Sequence, residues 1–434
     1  MTIFDQLRAR EFARLGDHAY LDYAGGALYG ESQLRAHHAL LRDGLFGNPH
    51  SDSAPSRAAT EVMDGARRRV LRFFGVDDST HDVCFTANTS AAIKLVAESY
   101  PFKRYSSLVL AADNHNSVNG IREYARRAGA TVRTLPLDGE LRLLDPTAHL
   151  GHGPGLLAFP AQSNFSGVQH PLALVEEAHS RCFDVLLDIA AYAPSHAFSL
   201  RDSPADFAAV SFYKLFGYPT GIGALIARRD ALARLRRPWF AGGTVTYASV
   251  AADTHLLRPR HEGFEDGTPN FLGIAALDAG FDLLEEVGMP RLTARVDELT
   301  RALLDELLAL PNVEIYGPPD MTARGGAVAF NIAGVPYAAV EARAREAGVS
   351  LRGGCFCNPG ASEAAFGLSG APLRAALDGL GADFTPERLA AHTGGAAGAV
   401  RASVGLANDY DDIAKALEVI TSLHGAARRL RRPA

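Results

Sequence analysis

The sequence contains no run of the roughly 18 consecutive apolar residues that a membrane helix requires. Its opening, MTIFDQLRAREFARLGDHAYLDYAGG, carries charges where a secretory signal needs an apolar centre. Cysteine is scarce, four among 434 residues, which rules out a disulfide scaffold. No charge of one sign dominates: 43 Lys and Arg stand against 49 Asp and Glu, for a net charge of -6. That balance gives no reason to expect nucleic acid or an anionic membrane as a partner. Short repeats and low-complexity linkers are also missing. The expectation is a cytosolic protein with reduced thiols. The arginine-rich end, ARRLRRPA, reads as a solvated helix terminus.

What is present is an ordinary globular balance, 47% hydrophobic and 21% charged, in a chain long enough for one large domain and a smaller one. From residue 82, short apolar runs alternate with amphipathic ones. DVCFTA, SSLVLAAD, ATVRTLPL, GLLAFPAQ, FDVLLDIAAY, FAAVSFY and GIGALIARR read as buried strands. AAIKLVAESY, VNGIREYARRAGA and PLALVEEAHSRC between them have helical spacing. The expected class is α/β, with a mostly parallel seven-stranded sheet covered on both faces. Helices are expected at 271–287, 290–310, 337–347 and 411–430. The chain divides into an N-terminal segment, 1–45, that packs on the rest; a large domain, 46–290; and a smaller α+β domain, 291–434.

In such sheets ligands sit beyond the carboxyl ends of the strands. After CFTA come Asn88, Thr89 and Ser90 and a helix start, where free N–H groups and hydroxyls hold anions. Taken alone these residues also make an ordinary helix cap. After VLAAD comes Asn114-His115-Asn116, and after FPAQ comes Ser163-Asn164. Asp188 lies inside an apolar strand end, LLDIAAY, where an unpaired carboxylate is costly and calls for a cationic partner. Lys214 follows FAAVSFY. It reads as a snorkelling edge residue or as a desolvated amine that forms Schiff bases readily. Jointly they suggest a pyridoxal phosphate site, which needs a lysine, a carboxylate for the ring nitrogen, an anion cradle and a flat stacking group.

GGCFCNPG, residues 353–360, holds Cys355 and Cys357, half of the cysteines. A disulfide, a metal site and a reactive sulfur are the three readings. A disulfide between them closes a strained ring. A structural zinc wants four ligands, and Cys84 and Cys182 lie in apolar runs that look like core. His392 is the nearest candidate to complete a metal set.

The order and wording of YLDYAGGALY, GNPHS, NHNSV, QSNFSGVQHPL, LLDIAAY, SFYKLFGYPTGIGALI, EDGTPNFLGI, GGCFCNPGA and GAVRASVGL resemble the class V, fold type I pyridoxal phosphate enzymes. Within these they resemble the cysteine desulfurases, above all the desulfurase-like domain of molybdenum cofactor sulfurases. Tyr213 before the lysine, where ordinary desulfurases carry histidine, belongs to that subgroup, as does the small Ala191. The resemblance implies that Lys214 bonds the cofactor aldehyde and moves the α-proton. It implies that Asp188 holds the ring nitrogen protonated, His115 stacks on the ring and serves catalysis, and Asn164 contacts the 3-hydroxyl oxygen. Thr89, Ser90 and Ser211 would bind the phosphate, and Thr268 would reach the phosphate of a neighbouring subunit in a homodimer. Arg401 would bind the substrate carboxylate, and Arg352 would be a second substrate-binding arginine of the active site. Cys357 would take sulfur from L-cysteine as a persulfide, with Cys355 its companion.

Glycines 353, 354 and 360 are expected to let that loop move. Asn88 replaces the usual glycine of the phosphate turn and is expected to tolerate a left-handed backbone. The implied activity is conversion of L-cysteine to L-alanine. The sulfur acceptor would be a separate protein or small molecule, because the chain ends at Ala434 without the cofactor-binding domain of the eukaryotic sulfurases. A lyase (selenocysteine lyase included), a transaminase or an epimerase on another amino acid is the alternative, and a sulfur-relay scaffold with a decayed site is a third. The stretch 370–397 carries no assignable chemistry.

Overall fold

The structure is a computed structural model that describes residues 2–393 and 396–430. The arginine-rich end read as a solvated helix terminus falls on residues whose side chains or backbone lie outside the described set, as do Gly394 and Gly395.

The seven apolar runs form one sheet: β1 (His81–Thr86), β2 (Ser107–Ala111), β3 (Thr131–Leu135), β4 (Gly155–Pro160), β5 (Phe183–Asp188), β6 (Phe207–Ser211) and β7 (Gly223–Arg228). Their spatial order is β1-β7-β6-β5-β4-β2-β3, and only β7 runs antiparallel to its neighbours. Every residue of β4 and β6 is buried, as expected for parallel strands covered on both faces. Alternate side chains supply two cores. Val83, Phe85, Val109, Leu157, Phe159, Val185 and Leu187 face one layer. Cys84, Leu108, Leu110, Leu156, Ala158, Leu186 and Ala209 face the other.

A second, antiparallel sheet contains β8 (Val313–Tyr316), β9 (Ala327–Ile332), β10 (Arg352–Gly354) and β11 (Ala399–Ser403), in the order β8-β9-β11-β10. Helices Met289–Leu308, Tyr337–Glu346 and Tyr410–Leu430 lie where the periodicity puts them. The helix expected at 271–287 is interrupted, as Phe271–Ile274 and Leu277–Val287.

The first 45 residues tie the two regions together. Ala19 and Tyr20 pair in parallel with Val349 and Ser350. Arg8 donates to both Asp412 oxygens, at 2.6 and 3.0 Å. On the other side, His37 bonds the Tyr218 hydroxyl at 2.6 Å and the Leu272 carbonyl at 2.8 Å.

Two local expectations are corrected. Cys182 is exposed, not core; it turns the chain at φ 63° one residue before β5. Asn88 is extended, with φ -175°, so no left-handed turn is needed there. The constraint sits instead on Gly223 at the start of β7, where a Cβ would lie 2.6 Å from the Asn88 backbone.

Candidate active site

The polar residues after β1, β2, β4, β5 and β6 converge on one cavity of about 190 Å³. Thr89, Ser90, His115, Asn164, Asp188, Ser211 and Lys214 all line it. Thr268, Cys357, Arg352 and Arg401 do not. Gln162 is a lining residue that sequence reasoning passed over, and Tyr213, read there only as a mark of the subgroup, lines the cavity too.

One end of the cavity is a helix start. Asn88 caps Thr89–Ser99 by accepting from the Ala91 N–H at 2.9 Å. The Thr89 N–H donates to Ser211 Oγ at 2.7 Å, and the two hydroxyls lie 2.7 Å apart. Ser90 Oγ meets Ser117 Oγ at 2.5 Å. Clustered hydroxyls at the positive end of an 11-residue helix form an anion cradle. His115 Nδ1 accepts from the Ser117 N–H at 3.1 Å, so that nitrogen carries no proton. Burial also pushes the His115 pKa down, against the pull of Asp188.

Asp188 ends β5 and is 8% exposed. Its carboxylate accepts from the Ala190 N–H at 3.0 Å, and no cation pairs with it among the described residues. Lys214 sits on a single helical turn, Phe212–Phe216, set by Phe packing and by Gly217 at φ +80°. The strand expected through Tyr213 therefore stops at Ser211. Lys214 also lacks an ion pair among the described residues. Burial drives its pKa below the ordinary lysine value, Arg401 and Arg352 push it further, and Asp188 opposes them.

A buried carboxylate without its cation, an unpaired desolvated amine and an anion cradle around one cavity are unstable holdings in isolation. A bound group with an anionic end, a protonated ring nitrogen and an electrophilic carbon satisfies all three. The residues present therefore fit pyridoxal phosphate. Gln162 donates to the Ala191 carbonyl at 2.9 Å, which brings a carboxamide to the wall where Ala191 offers no polar side chain.

The two arginines come together around a residue the sequence reading missed. Across the pairing of β10 with β11, Arg352 and Arg401 are partners. Asp22 accepts from Arg352 Nε at 2.9 and 3.0 Å and Nη2 at 2.6 Å, and from Arg401 Nη2 at 2.9 Å. Arg401 is 1% exposed and its Nη1 donates to the Asn164 carbonyl at 2.7 Å. Burial lowers its pKa, with Asp22 opposing. The Asp22 hydrogen bonds hold Arg352 above the ordinary arginine value.

The cysteine loop rests on the cavity wall. Asn164 Nδ2 donates to the Phe356 carbonyl at 2.7 Å. The Asn116 N–H donates to the Cys357 carbonyl at 2.7 Å, which seats Cys357 beside His115. Phe356 is buried against Phe165, with rings 5.3 Å apart, and under Arg401 at 4.7 Å. Cys357 is exposed and Cys355 partly so; all four cysteines are free. Two of the three loop glycines have a packing role beside the freedom expected of them. A Cβ on Gly360 would lie 2.1 Å from the Ala112 carbonyl oxygen and one on Gly353 2.7 Å from the Tyr337 ring, so both permit close packing. Only Gly354, at φ +120°, needs glycine for its backbone. His392 is exposed and bonds the Arg388 carbonyl, and no cluster of metal-ligating residues occurs among the described residues.

The aminotransferase class-V family model matches residues 19–416. Over 96% of its length the chain is 36% identical to a molybdenum cofactor sulfurase of Solanum lycopersicum, and over 97% it is 33% identical to that of Homo sapiens. It covers 57% and 52% of those proteins, so it spans a little over half their length. Among solved structures it is similar to a cysteine desulfurase from Thermococcus onnurineus NA1, with TM-score 0.84 and 25% identity over 98% of this chain and 99% of that one. A cysteine desulfurase from Escherichia coli, at TM-score 0.78 and 23% identity over 99% of both chains, shares the fold.

Proposed function

The chain belongs to the aminotransferase class-V family, and from that premise we propose that it is a pyridoxal phosphate-dependent cysteine desulfurase, converting L-cysteine to L-alanine with the sulfur received on Cys357. The observation that carries this reading is the meeting in one cavity of Asp188 and Lys214, neither with an ion pair among the described residues, with Cys357 bonded to the wall next to His115.

Bound pyridoxal phosphate would supply an electron sink at the substrate's α-carbon. Asp188 would hold the ring nitrogen's proton, and Thr89, Ser90 and Ser211 would bind the phosphate with the help of the helix start. His115 would lie against the ring. Asn164 Nδ2 has a second hydrogen with which to reach the 3-hydroxyl oxygen. Lys214, its pKa lowered by burial, would serve as the base for the α-proton. Arg352, with its half-exposed side chain, and Arg401 behind it would recognise the substrate carboxylate.

The Cys357 thiolate would attack the substrate sulfur. The S–S bond forms and the substrate's carbon–sulfur bond breaks. Its electron pair stays on carbon, which takes a proton and leaves as alanine. An acceptor nucleophile, a protein or small-molecule thiol, would then take the outer sulfur and return Cys357 to a thiol.

Homodimerisation belongs to the same reading. The hairpin Val245–Ser249/Thr254–Leu257 is exposed along most of its length. Tyr247 is 64%, Val250 100% and Leu256 62% exposed, which is apolar surface of the kind that marks an interface. Thr268 lines a separate, open pocket, so a role at a phosphate requires a second copy. A reducing compartment suits four free cysteines.

The test is alanine release from L-cysteine by the loaded enzyme under reducing conditions. Wild type should release it and Cys357→Ser only in trace. Equal release by both, or none from wild type, overturns the reading.

A further inference from the structure

One buried group near the loop has no part in the chemistry above. Asp113, in the segment after β2, is 0% exposed, and a carboxylate so placed must be fully partnered. It accepts from His170 Nε2 at 2.9 Å, from Ser163 Oγ at 2.8 Å and from Asn358 Nδ2 at 2.6 Å. His170 is 3% exposed and Asn358 0%. Asn358 directly follows Cys357 and has three further duties. Its Oδ1 caps helix Pro359–Ala365 through the Ala361 N–H at 3.2 Å. Its Nδ2 also reaches Asn164 Oδ1 at 3.0 Å. Its N–H closes the loop onto the Cys355 carbonyl at 3.0 Å.

Cys357 is therefore gripped on both sides. Phe356 is held through its carbonyl by Asn164 and Asn358 through its side chain by Asp113. The Cys357 carbonyl itself is held by Asn116. Between these grips Cys357 keeps φ +57° and Phe356 φ +54°. Non-glycine residues avoid that region and persist in it only when their surroundings over-determine them. Cys357 itself stays exposed.

We propose that Asp113, backed by His170, is a positioning residue for Cys357. Acting through Asn358, it fixes the loop backbone so that the thiol meets the substrate sulfur by side-chain rotation alone. The inference rests on Cys357 as the sulfur-receiving residue. Its consequence for the acceptor is that the acceptor must come to the cavity mouth to take the sulfur, because the loop does not carry it away.

The experiment uses Asp113→Asn and Asn358→Ala in the loaded full chain; the second removes the link should the first misfold. Three quantities are read. These are the visible spectrum of the cofactor with its change on adding L-cysteine, the rate of sulfur appearance on the Cys357 peptide, and amide hydrogen exchange over residues 355–362. The expected result is unchanged loading and an unchanged L-cysteine-dependent spectral change. The sulfur-transfer rate falls roughly 10- to 100-fold, the scale of an ångström-level misplacement, and exchange in 355–362 rises. The double variant is no slower than Asn358→Ala alone, since that substitution already cuts the link to Asp113. Loss of cofactor in step with loss of sulfur transfer would overturn the proposal, and so would unchanged transfer with unchanged exchange. If the wild type itself takes up no sulfur, the desulfurase reading fails separately; the exchange comparison still decides whether Asp113 anchors the loop.

Discussion

Asp22 offers a prediction with a calculable size. It is the counterion of two arginines in unequal settings: the Arg401 side chain is 1% exposed and the Arg352 side chain 48%. Among the described residues Asp22→Ala strips Arg401 of its only carboxylate, leaving the Asn164 carbonyl as its hydrogen-bond acceptor with Nε already unbonded. Removing one partner of a buried pair costs about 3–5 kcal/mol, because the other charge stays desolvated. Arg352→Ala breaks an ion pair on a half-exposed side chain, worth about 0–1 kcal/mol. A chain of 434 residues unfolds with an entropy of about 0.9 kcal/mol/K at its midpoint. Asp22→Ala should thus lower Tm by about 3–6 °C, and Arg352→Ala by about 1 °C or less. Calorimetry of the cofactor-free proteins is the assay. Asp22→Asn should fall between, since it keeps an acceptor, and pairing Asp22→Ala with Arg401→Met should recover much of the loss. Equal shifts for Asp22→Ala and Arg352→Ala would refute the reasoning, since the asymmetry of burial is its whole basis.

Other outcomes follow from the same geometry. Lys214→Ala should reduce alanine release by about 10²- to 10⁴-fold, the range of a lost general acid–base group, while circular dichroism stays that of the native fold. Burial lowers His196 from 6.5 to about 4. Between those values the unfolded chain binds the extra proton, so stability is full above pH 6.5 and falls as the pH drops toward 4, by about 3 kcal/mol at most. Asp297, 3.8 Å away with its carboxyl raised by its own burial, acts with the opposite sign and trims the loss. Urea midpoints at a series of pH values, with His196→Asn giving a flatter profile, check this. Val250→Asp with Leu256→Asp should convert a dimer to a monomer in sedimentation, and wild type sedimenting as a monomer would remove the interface.

Much of this was legible because a parallel sheet buried on both faces writes its strands as continuous apolar runs. A charge at the end of such a run is conspicuous, and Asp188 and Lys214 announced themselves that way. Asp188 was expected to have a cationic partner; within the described residues none exists, and the cation's place faces the cavity. Asp22 could not be seen, because its partners lie 330 and 379 residues away and LDY reads as an ordinary strand end. Asp113 and Asn358 were hidden for the same reason, being 245 residues apart. Gln162 looked like the tail of an apolar strand. The packing role of Gly353 and Gly360 was hidden because flexibility and close packing demand the same residue, and only the distances to Tyr337 and Ala112 reveal it. Cys182 was misread because a turn residue abutting an apolar strand has the same neighbours in sequence as a strand residue.

The most direct measurement is anaerobic. One equivalent of L-cysteine is added to the loaded enzyme, alanine is quantified, and the intact mass is followed by peptide mapping. The account predicts an added mass of about 32 Da, one sulfur atom as a persulfide, on the peptide carrying Cys357, in step with alanine and absent from Cys357→Ser. Alanine without that adduct, or an adduct on Cys355 that survives Cys357→Ser, would contradict it.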